Sequence, residues 1–136
     1  MKLKIAIDGP AGAGKSTVAR MVAQKLHYTY IDTGAMYRAI TLAVMRSGIP
    51  LSDSEAIVAL LKKSNLEIKQ SSDGKNQIYL NGEDITQEIR QESVNKQVSD
   101  VANLLSVRQV LVEKQRQMAS SGGVVLDGRD GHTKLT

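Results

Sequence analysis

The chain has 136 residues, of which 41% are hydrophobic and 24% charged, so it can form one domain with a real core and is short for two. It has no cysteine, which excludes disulfides and thiolate metal sites and suits a reducing cytoplasm, where we expect the protein. The net charge of +4 permits nucleic-acid contact, but basic residues are scattered among acidic ones and only 3% are aromatic. An acidic small molecule is therefore the expected partner, and nucleic acid is not. No apolar run reaches membrane length, so we expect no membrane partner either.

The N-terminal segment predicts a phosphate-binding loop between a strand and a helix. Residues 3–8 are β-branched and apolar, as in a buried strand, and residues 17–26 repeat apolar side chains at helical spacing. Between them is the pattern G-x-x-x-x-G-K-S, formed by Gly9, Pro10, Ala11, Gly12, Ala13, Gly14, Lys15 and Ser16. Its glycines let successive backbone N–H groups converge on an anion, its lysine adds charge for the outer phosphates, and its serine offers an oxygen to Mg²⁺. The alternative is a glycine-rich turn that binds nothing.

A second block of functional groups follows the second predicted strand, at residues 27–32. We expect a turn at Thr33-Gly34 and then a helix from Ala35 to Ser47, closed by Gly48. Residues 32–38 bring together a carboxylate, a hydroxyl, a helix N-terminus, the Tyr37 ring and the Arg38 guanidinium. Amides and arginine suit a phosphate and the ring suits stacking, so this block indicates a second phosphorylated ligand facing the first. The alternative is a capped amphipathic helix with a solvated arginine.

The middle of the chain predicts a small antiparallel sheet followed by helices. A capping box at residues 52–55 opens a helix through Lys63. Alternation at 66–69, a turn at 71–74, a strand at 77–80 and an Asn81-Gly82 hairpin signal predict antiparallel strands inserted into an alternating α/β chain. Residues 86–105 have a helical pattern, and a second capping box, at 106–109, opens a helix that ends near residue 120.

The last predicted strand, at residues 124–127, is apolar and ends in a carboxylate. P-loop folds use such an aspartate on the strand beside the loop to hold the Mg²⁺ shell, so Asp127 and Ser16 are candidate metal ligands. The alternative for Asp127 is a cap or turn residue. Open parallel sheets bind ligands at the carboxyl ends of their strands, where Arg129 would suit a phosphate. The alternative there is a surface Arg–Asp pair.

Four ordered blocks, at residues 8–17, 31–38, 81–85 and 127–130, resemble bacterial cytidylate kinase, of the nucleoside monophosphate kinase family. No N-K-x-D pattern is present, which argues against a GTPase. The resemblance implies Mg²⁺-assisted transfer of the ATP γ-phosphate to CMP or dCMP. It also implies an α/β fold: a P-loop NTPase-type parallel sheet with helices on both faces and a small antiparallel insert. We expect residues 1–48 and 121–136 to form the core, and residues 49–120 the monophosphate-binding region, with the hairpin at 66–85.

The resemblance also implies roles for individual residues. Residues 9–17, ending at Thr17, would bind ATP, and Lys15, Arg38 and Arg129 would be the catalytic cations. The residues implied for CMP are Thr33, Tyr37, Arg38, Ser99, Arg108, Arg129 and Asp130. Cytosine has acceptors at O2 and N3 and a donor at N4, which suit an arginine and an aspartate, whereas uracil would turn a carbonyl toward the carboxylate. Without the resemblance, Ser99 and Arg108 would be ordinary helix residues.

After Asp130 the chain departs from the family pattern, which continues with an apolar residue and Gly-Thr. The family goes on to later strands, lid helices with further phosphate-binding arginines, and an adenine-binding loop. We therefore expect the 136 residues alone to be a much weaker enzyme with an exposed sheet edge, and the complete protein to be a monomer. Two other functions stay open: a different small-molecule P-loop kinase, and a nucleotide-binding module without catalysis.

Overall fold

Strands and helices alternate through the N-terminal part of the chain, as the apolar patterns predict. The computed structural model describes residues 4–8, 15–70, 76–120 and 122–128. The elements in chain order are β1 (Lys4–Asp8), α1 (Lys15–Leu26), β2 (Thr29–Asp32), α2 (Thr33–Ser47), α3 (Ser54–Lys63), β3 (Leu66–Gln70), β4 (Asn76–Leu80), β5 (Glu83–Asp84), a 3₁₀ turn (Glu88–Arg90), α4 (Glu92–Ala102), α5 (Leu105–Met118) and β6 (Val124–Gly128).

The chain divides into two compact units. The first comprises Met1–Gly34, Gln70–Asn76 and Val112–Thr136, and the second Ala35–Lys69 and Gln77–Leu111. These bounds differ from the expected division into residues 1–48 with 121–136 and residues 49–120. That division concerns functional regions rather than compactness, and it stays a prediction. None of the described helices is long and apolar enough to cross a membrane.

The first unit contains a parallel sheet in the order β1-β6-β2. Its central strand, β6, pairs with a strand on each side, and its apolar side chains Val124, Val125 and Leu126 are buried, as is usual for parallel sheets covered on their faces. Helix α1 contributes Ala19 and Ala23 to a buried cluster around Val125. The predicted parallel α/β core is thus confirmed.

The junction between α1 and β2 differs from the prediction. The predicted strand begins at residue 27, but His27 has a φ of 57° and ends the helix in the left-handed region. The N–H of Tyr28 reaches back to the carbonyl of Ala23 at 2.8 Å, which satisfies a carbonyl of the last helical turn. The strand therefore starts two residues later, at Thr29.

The predicted turn at Thr33-Gly34 is also wrong, because α2 begins at Thr33 directly after β2. The first four N–H groups of a helix have no intrahelical partner, so a glycine there costs less helix stability than one in the interior. A Cβ on Gly34 would lie 3.1 Å from Oδ1 of Asp32, so the residue also leaves room for that carboxylate. At the other end, Gly48 closes the helix at a φ of 73°, as predicted.

The second unit packs helices and a small antiparallel sheet around an aliphatic core. Its fully buried side chains include Met36, Ile57, Leu61, Ile78, Ile85, Val94, Val101, Val107 and Leu111. The sheet has the order β3-β4-β5, with β4 and β5 antiparallel. Asn81 and Gly82, at φ values of 51° and 85°, form the predicted hairpin turn. The predicted turn at 71–74 lies outside the described residues.

Helix α3 starts one residue later than predicted, α5 starts two residues earlier, and one predicted helix is divided. The N-cap of α3 is Asp53, whose Oδ1 accepts from the N–H of Ala56 at 3.1 Å, and not Ser52. Helix α5 starts at Leu105, because the Arg108 N–H bonds to the Leu104 carbonyl, which places Ser106 inside the helix. The pattern at 86–105 covers the 3₁₀ turn and α4, which are separated by an extended residue, Gln91.

Candidate functional site

The first unit has a strand before, and a helix after, the predicted phosphate-binding segment. Strand β1 ends at Asp8 and α1 starts at Lys15, so both flanks of the predicted loop form as expected. Thr17 is exposed in the first turn of α1. The predictions for Gly9, Pro10, Ala11, Gly12, Ala13, Gly14, Arg129 and Asp130, and for the side chains of Lys15, Ser16 and Asp127, lie outside the described residues.

The parallel register brings the ends of three strands to one edge of the sheet. Asp127 is the partner of Ile7 on one side and of Asp32 on the other. Strand β6 is therefore the neighbour of the strand that leads into the loop, as the sequence predicts for the strand that ends in Asp127. Helix α2 begins at the same edge, since Thr33 follows Asp32 directly. This edge is formed by the C-terminal ends of all three strands, which is where open parallel sheets bind ligands, and an aspartate lies at or next to the end of each strand.

This arrangement fits a magnesium ion by its donor chemistry. Among the described residues, no group of three or more His, Cys, Asp or Glu could hold a metal ion. Mg²⁺ does not need such a group, because it retains waters and takes one or two protein oxygens together with phosphate oxygens. The backbone places Asp127 beside β1, and Ser16 lies in the first turn of the helix that follows the loop. These two oxygen-bearing residues therefore fit the ion.

In the second unit, the structure brings together two residues predicted to bind CMP, Tyr37 of α2 and Arg108 of α5. Tyr37 is 4% exposed, and burial raises the pKa of its phenol above the usual 10.0. The positive charge of Arg108 acts in the opposite direction and lowers the pKa, so the guanidinium and the phenol interact electrostatically. One turn beyond Tyr37, the Thr41 hydroxyl donates to the Tyr37 carbonyl at 2.8 Å.

The guanidinium of Arg108 has an unused hydrogen-bonding position. Its Nε is buried and has no hydrogen-bond partner within the part of the chain that the structure describes. A buried donor without an acceptor costs about 1–3 kcal/mol, more when it is charged. A bound acceptor, such as a carbonyl or ring nitrogen of a base, would remove this cost.

For the other residues predicted to bind CMP, the structure gives the position in the fold and the burial. Thr33 is 1% exposed at the first position of α2, and Arg38 is half-buried on the same helix. Ser99 is exposed on α4, where its carbonyl accepts the N–H of Asn103 at 3.0 Å. Of the residues predicted to bind CMP, Tyr37 and Arg108 are thus the two that the structure couples electrostatically.

Sequence reasoning missed two polar residues at the ends of the β3–β4 hairpin, Gln70 and Asn76. Their side-chain amides bond to the backbone of β2, far away in the chain. Neither residue lies in a recognisable motif, and alternation in β3 and β4 indicates only strands. No local signal could have identified them, because their partners are set by tertiary structure.

Comparison with known proteins agrees with the geometry. The family model described as "Cytidylate kinase" matches residues 5–136. The chain is 54% identical over 129 residues to the cytidylate kinases of Bacillus licheniformis and Symbiobacterium thermophilum, and 51% identical to that of Bacillus subtilis. Each comparison covers 95% of this chain but 57% of the relative, so the chain spans little more than half the length of these proteins. On this evidence, the chain belongs to the cytidylate kinase family.

Proposed function

We propose that this chain is the phosphate-loop and acceptor-binding part of a kinase that transfers the ATP γ-phosphate to CMP or dCMP, giving CDP or dCDP. Family membership and the names of the relatives support the reaction. The observation that carries the acceptor assignment is the buried Nε of Arg108, which has no hydrogen-bond partner among the described residues. The charge of the same guanidinium also acts on Tyr37. We expect the protein to act in the cytoplasm, because its substrates are small nucleotides and it has no cysteine.

The chemistry of cytosine fits this assignment. Arg108 would donate to O2 or N3, and Asp130 would accept from the N4 amine, with Ser99 as a further polar contact. In uracil, the N4 amine is replaced by a carbonyl, which would leave the aspartate facing an acceptor. A site built to hydrogen-bond a group discriminates strongly against an analogue that lacks it, because the polar groups of the site are then unpaired.

Phosphoryl transfer needs positioning and charge neutralisation rather than a covalent intermediate. Residues 9–17 would bind the ATP phosphates, while Arg38 and Arg129 would hold the acceptor phosphate near Thr33 and Tyr37. Lys15 would neutralise charge on the transferred group. Mg²⁺, held by Ser16 and Asp127, would supply further positive charge to the phosphate oxygens when bound.

Calorimetric titration with CMP, dCMP, UMP and ATP tests the proposal. Wild-type protein should bind CMP in preference to UMP. Arg108→Ala should weaken CMP binding by about 10- to 100-fold, because a charged hydrogen bond is worth roughly 1.5–3 kcal/mol. Asp130→Ala should reduce the preference for CMP over UMP, and both variants should retain ATP binding.

Arg116→Ala is the matched control. Arg116 lies on the same helix as Arg108, but it is exposed and pairs only weakly with Glu113, at 3.8 Å, so its loss should leave CMP affinity unchanged. Preference for UMP, AMP or another acceptor in the wild type would favour a different small-molecule kinase. ATP binding without turnover of any acceptor would favour a nucleotide-binding module.

A further inference from the structure

Two side-chain amides pair with the edge of β2 that faces away from β6. The Thr29 N–H points toward β6, since it donates to the Gly123 carbonyl at 2.9 Å. Successive residues of a strand alternate in direction, so the polar groups of Tyr30 and Asp32 point to the opposite edge. There, Asn76 Nδ2 donates to the Tyr30 carbonyl at 2.8 Å, and Asn76 Oδ1 accepts from the Asp32 N–H at 2.8 Å.

Asn76 thus makes both bonds that a residue of a neighbouring strand would make. Its amide is the smallest side chain with a donor and an acceptor on one planar group, so it imitates a peptide unit. Gln70 adds a third bond, because its Oε1 accepts from the Tyr30 N–H at 3.3 Å. All of these residues belong to the same compact unit.

The pairing of β3 with β4 explains why the side-chain amides of Gln70 and Asn76 both bond to β2. At its base, Asn65 and Asn81 are opposite each other: the Asn81 N–H donates to the Asn65 carbonyl, and Asn81 Oδ1 accepts from the Asn65 N–H, both at 2.8 Å. Counting five residues from this pair, forward along β3 and backward along β4, leads to Gln70 and Asn76, which a regular ladder would make cross-strand partners. Cross-strand partners point to the same face of a sheet, which agrees with the bonds that both amides make to β2.

The bonds end where the predicted ligand-binding block begins. Asp32 is the last residue of β2, and Thr33 is the first of α2, with no residue between them to absorb a displacement. The Asp32 carboxylate already lies close to Gly34, where an added Cβ would come within 3.1 Å of Oδ1. Any movement of the Asp32 backbone is therefore passed to Thr33 and to the first turn of α2.

We propose that Asn76, assisted by Gln70, is a positioning residue for the acceptor-nucleotide site: it holds the end of β2 so that Thr33 and the start of α2 take the geometry that binds CMP. The proposal rests on the proposed function, since it names a residue that supports the same site. Asn76 would not contact the nucleotide itself and would act only through its bonds to the backbone of Tyr30 and Asp32.

The test compares Asn76→Ala and Asn76→Asp with the wild type by calorimetry and by amide hydrogen exchange. Asn76→Ala removes both bonds, so CMP affinity should fall about tenfold and exchange at the Asp32 amide should accelerate by a similar factor. Asn76→Asp keeps an oxygen that accepts from the Asp32 N–H, but it replaces the Nδ2 donor with a second oxygen, which repels the Tyr30 carbonyl. It should weaken CMP binding while leaving the Asp32 amide better protected than in the alanine variant. ATP affinity should change less than about twofold in both, because the phosphate loop is untouched.

Gln77→Glu is the matched control, since it makes the same amide-to-carboxylate change on the next residue of β4, which points to the other face of the sheet. It should change neither CMP affinity nor Asp32 exchange. Unchanged CMP affinity in both Asn76 variants would overturn the proposal, as would an equal loss of CMP and ATP binding, which would indicate a general folding role. If the wild type binds ATP but no CMP, the proposed function fails, and this inference fails with it. If the wild type binds CMP but the Asn76 variants bind it with unchanged affinity, or lose CMP and ATP binding equally, only the role of Asn76 is refuted.

Discussion

The environment of Tyr37 shows how one side chain experiences two opposed electrostatic effects. Burial favours the neutral phenol because a phenolate would lose its hydration, while the nearby Arg108 cation favours the phenolate. Burial is the larger effect, so the pKa lies above 10.0. The neutral hydroxyl form is therefore the one present at physiological pH, and it can donate to a ligand oxygen.

The shifted pKa predicts a pH dependence of stability. Because the folded state holds the Tyr37 proton more tightly than the unfolded state, its contribution to the free energy of unfolding is fully present below pH 10.0 and decreases as the pH rises through the folded pKa. Urea unfolding of wild type and Tyr37→Phe across this range should show a steeper loss for the wild type. Arg108→Met should raise the pKa of Tyr37 further, as followed by phenolate absorbance in difference titrations against Tyr37→Phe. A pKa at or below 10.0 in the wild type would contradict this account.

At the scale of single elements, an exposed ion-pair network connects α2 with β5 and the 3₁₀ turn. Arg46, in the last turn of α2, makes a bidentate pair with Glu83 at 2.9 and 3.1 Å and also bonds to Glu88. All three side chains are 38–54% exposed. Exposed pairs of this kind contribute little to the free energy of unfolding, so we expect this network to add at most about 1 kcal/mol per pair.

The observed start of α3 can be distinguished from the predicted one by two alanine substitutions. Asp53→Ala removes the acceptor for the Ala56 N–H and should lower the free energy of unfolding by about 0.5–2 kcal/mol. Ser52→Ala, which would remove the cap that the sequence predicts, should change it by less than about 0.5 kcal/mol. Urea unfolding of both variants measures the difference. Equal losses, or a larger loss for Ser52→Ala, would show that the cap is not Asp53.

At the scale of the whole molecule, the chain has a core in each compact unit but spans 57% of the length of its relatives. Large apolar side chains are exposed on α1, where Val18 and Met21 are 52% and 53% accessible. These two lie three positions apart and so on one face of the helix. Among the residues that the structure describes, this face is exposed.

We predict that the 136-residue chain transfers phosphate to CMP much more slowly than a full-length relative such as the Bacillus subtilis enzyme. The resemblance implies further phosphate-binding arginines in the remaining length of such proteins, and arginines that stabilise the transferred group can be worth about 10³–10⁵ in turnover. ADP formation from CMP and ATP, measured side by side at saturating substrate, tests this. Equal turnover numbers would show that the additional length is not needed for the reaction.

The sequence alone determined the parts of this protein that depend on neighbours in the chain. The elements β1 and α1 were predicted from the glycine spacing, the apolar run before it and the helical repeat after it. The turn at Asn81-Gly82 was predicted because turn geometry depends on the two residues themselves. Helix and strand ends were less well predicted. Serine and aspartate can both cap a helix, so local pattern could not choose between Ser52 and Asp53.

Tertiary structure decided what depends on residues distant in the chain. The Tyr37–Arg108 interaction and the pairing of Asn76 with β2 each join elements that no local pattern connects. The start of α2 at Thr33, in place of the predicted turn, lies directly after such a long-range contact, since the Asp32 N–H donates to Asn76 Oδ1. Sequence patterns report local preferences, whereas the pairing of buried or edge polar groups is a property of the whole fold, because each such group must find a partner wherever the chain brings one.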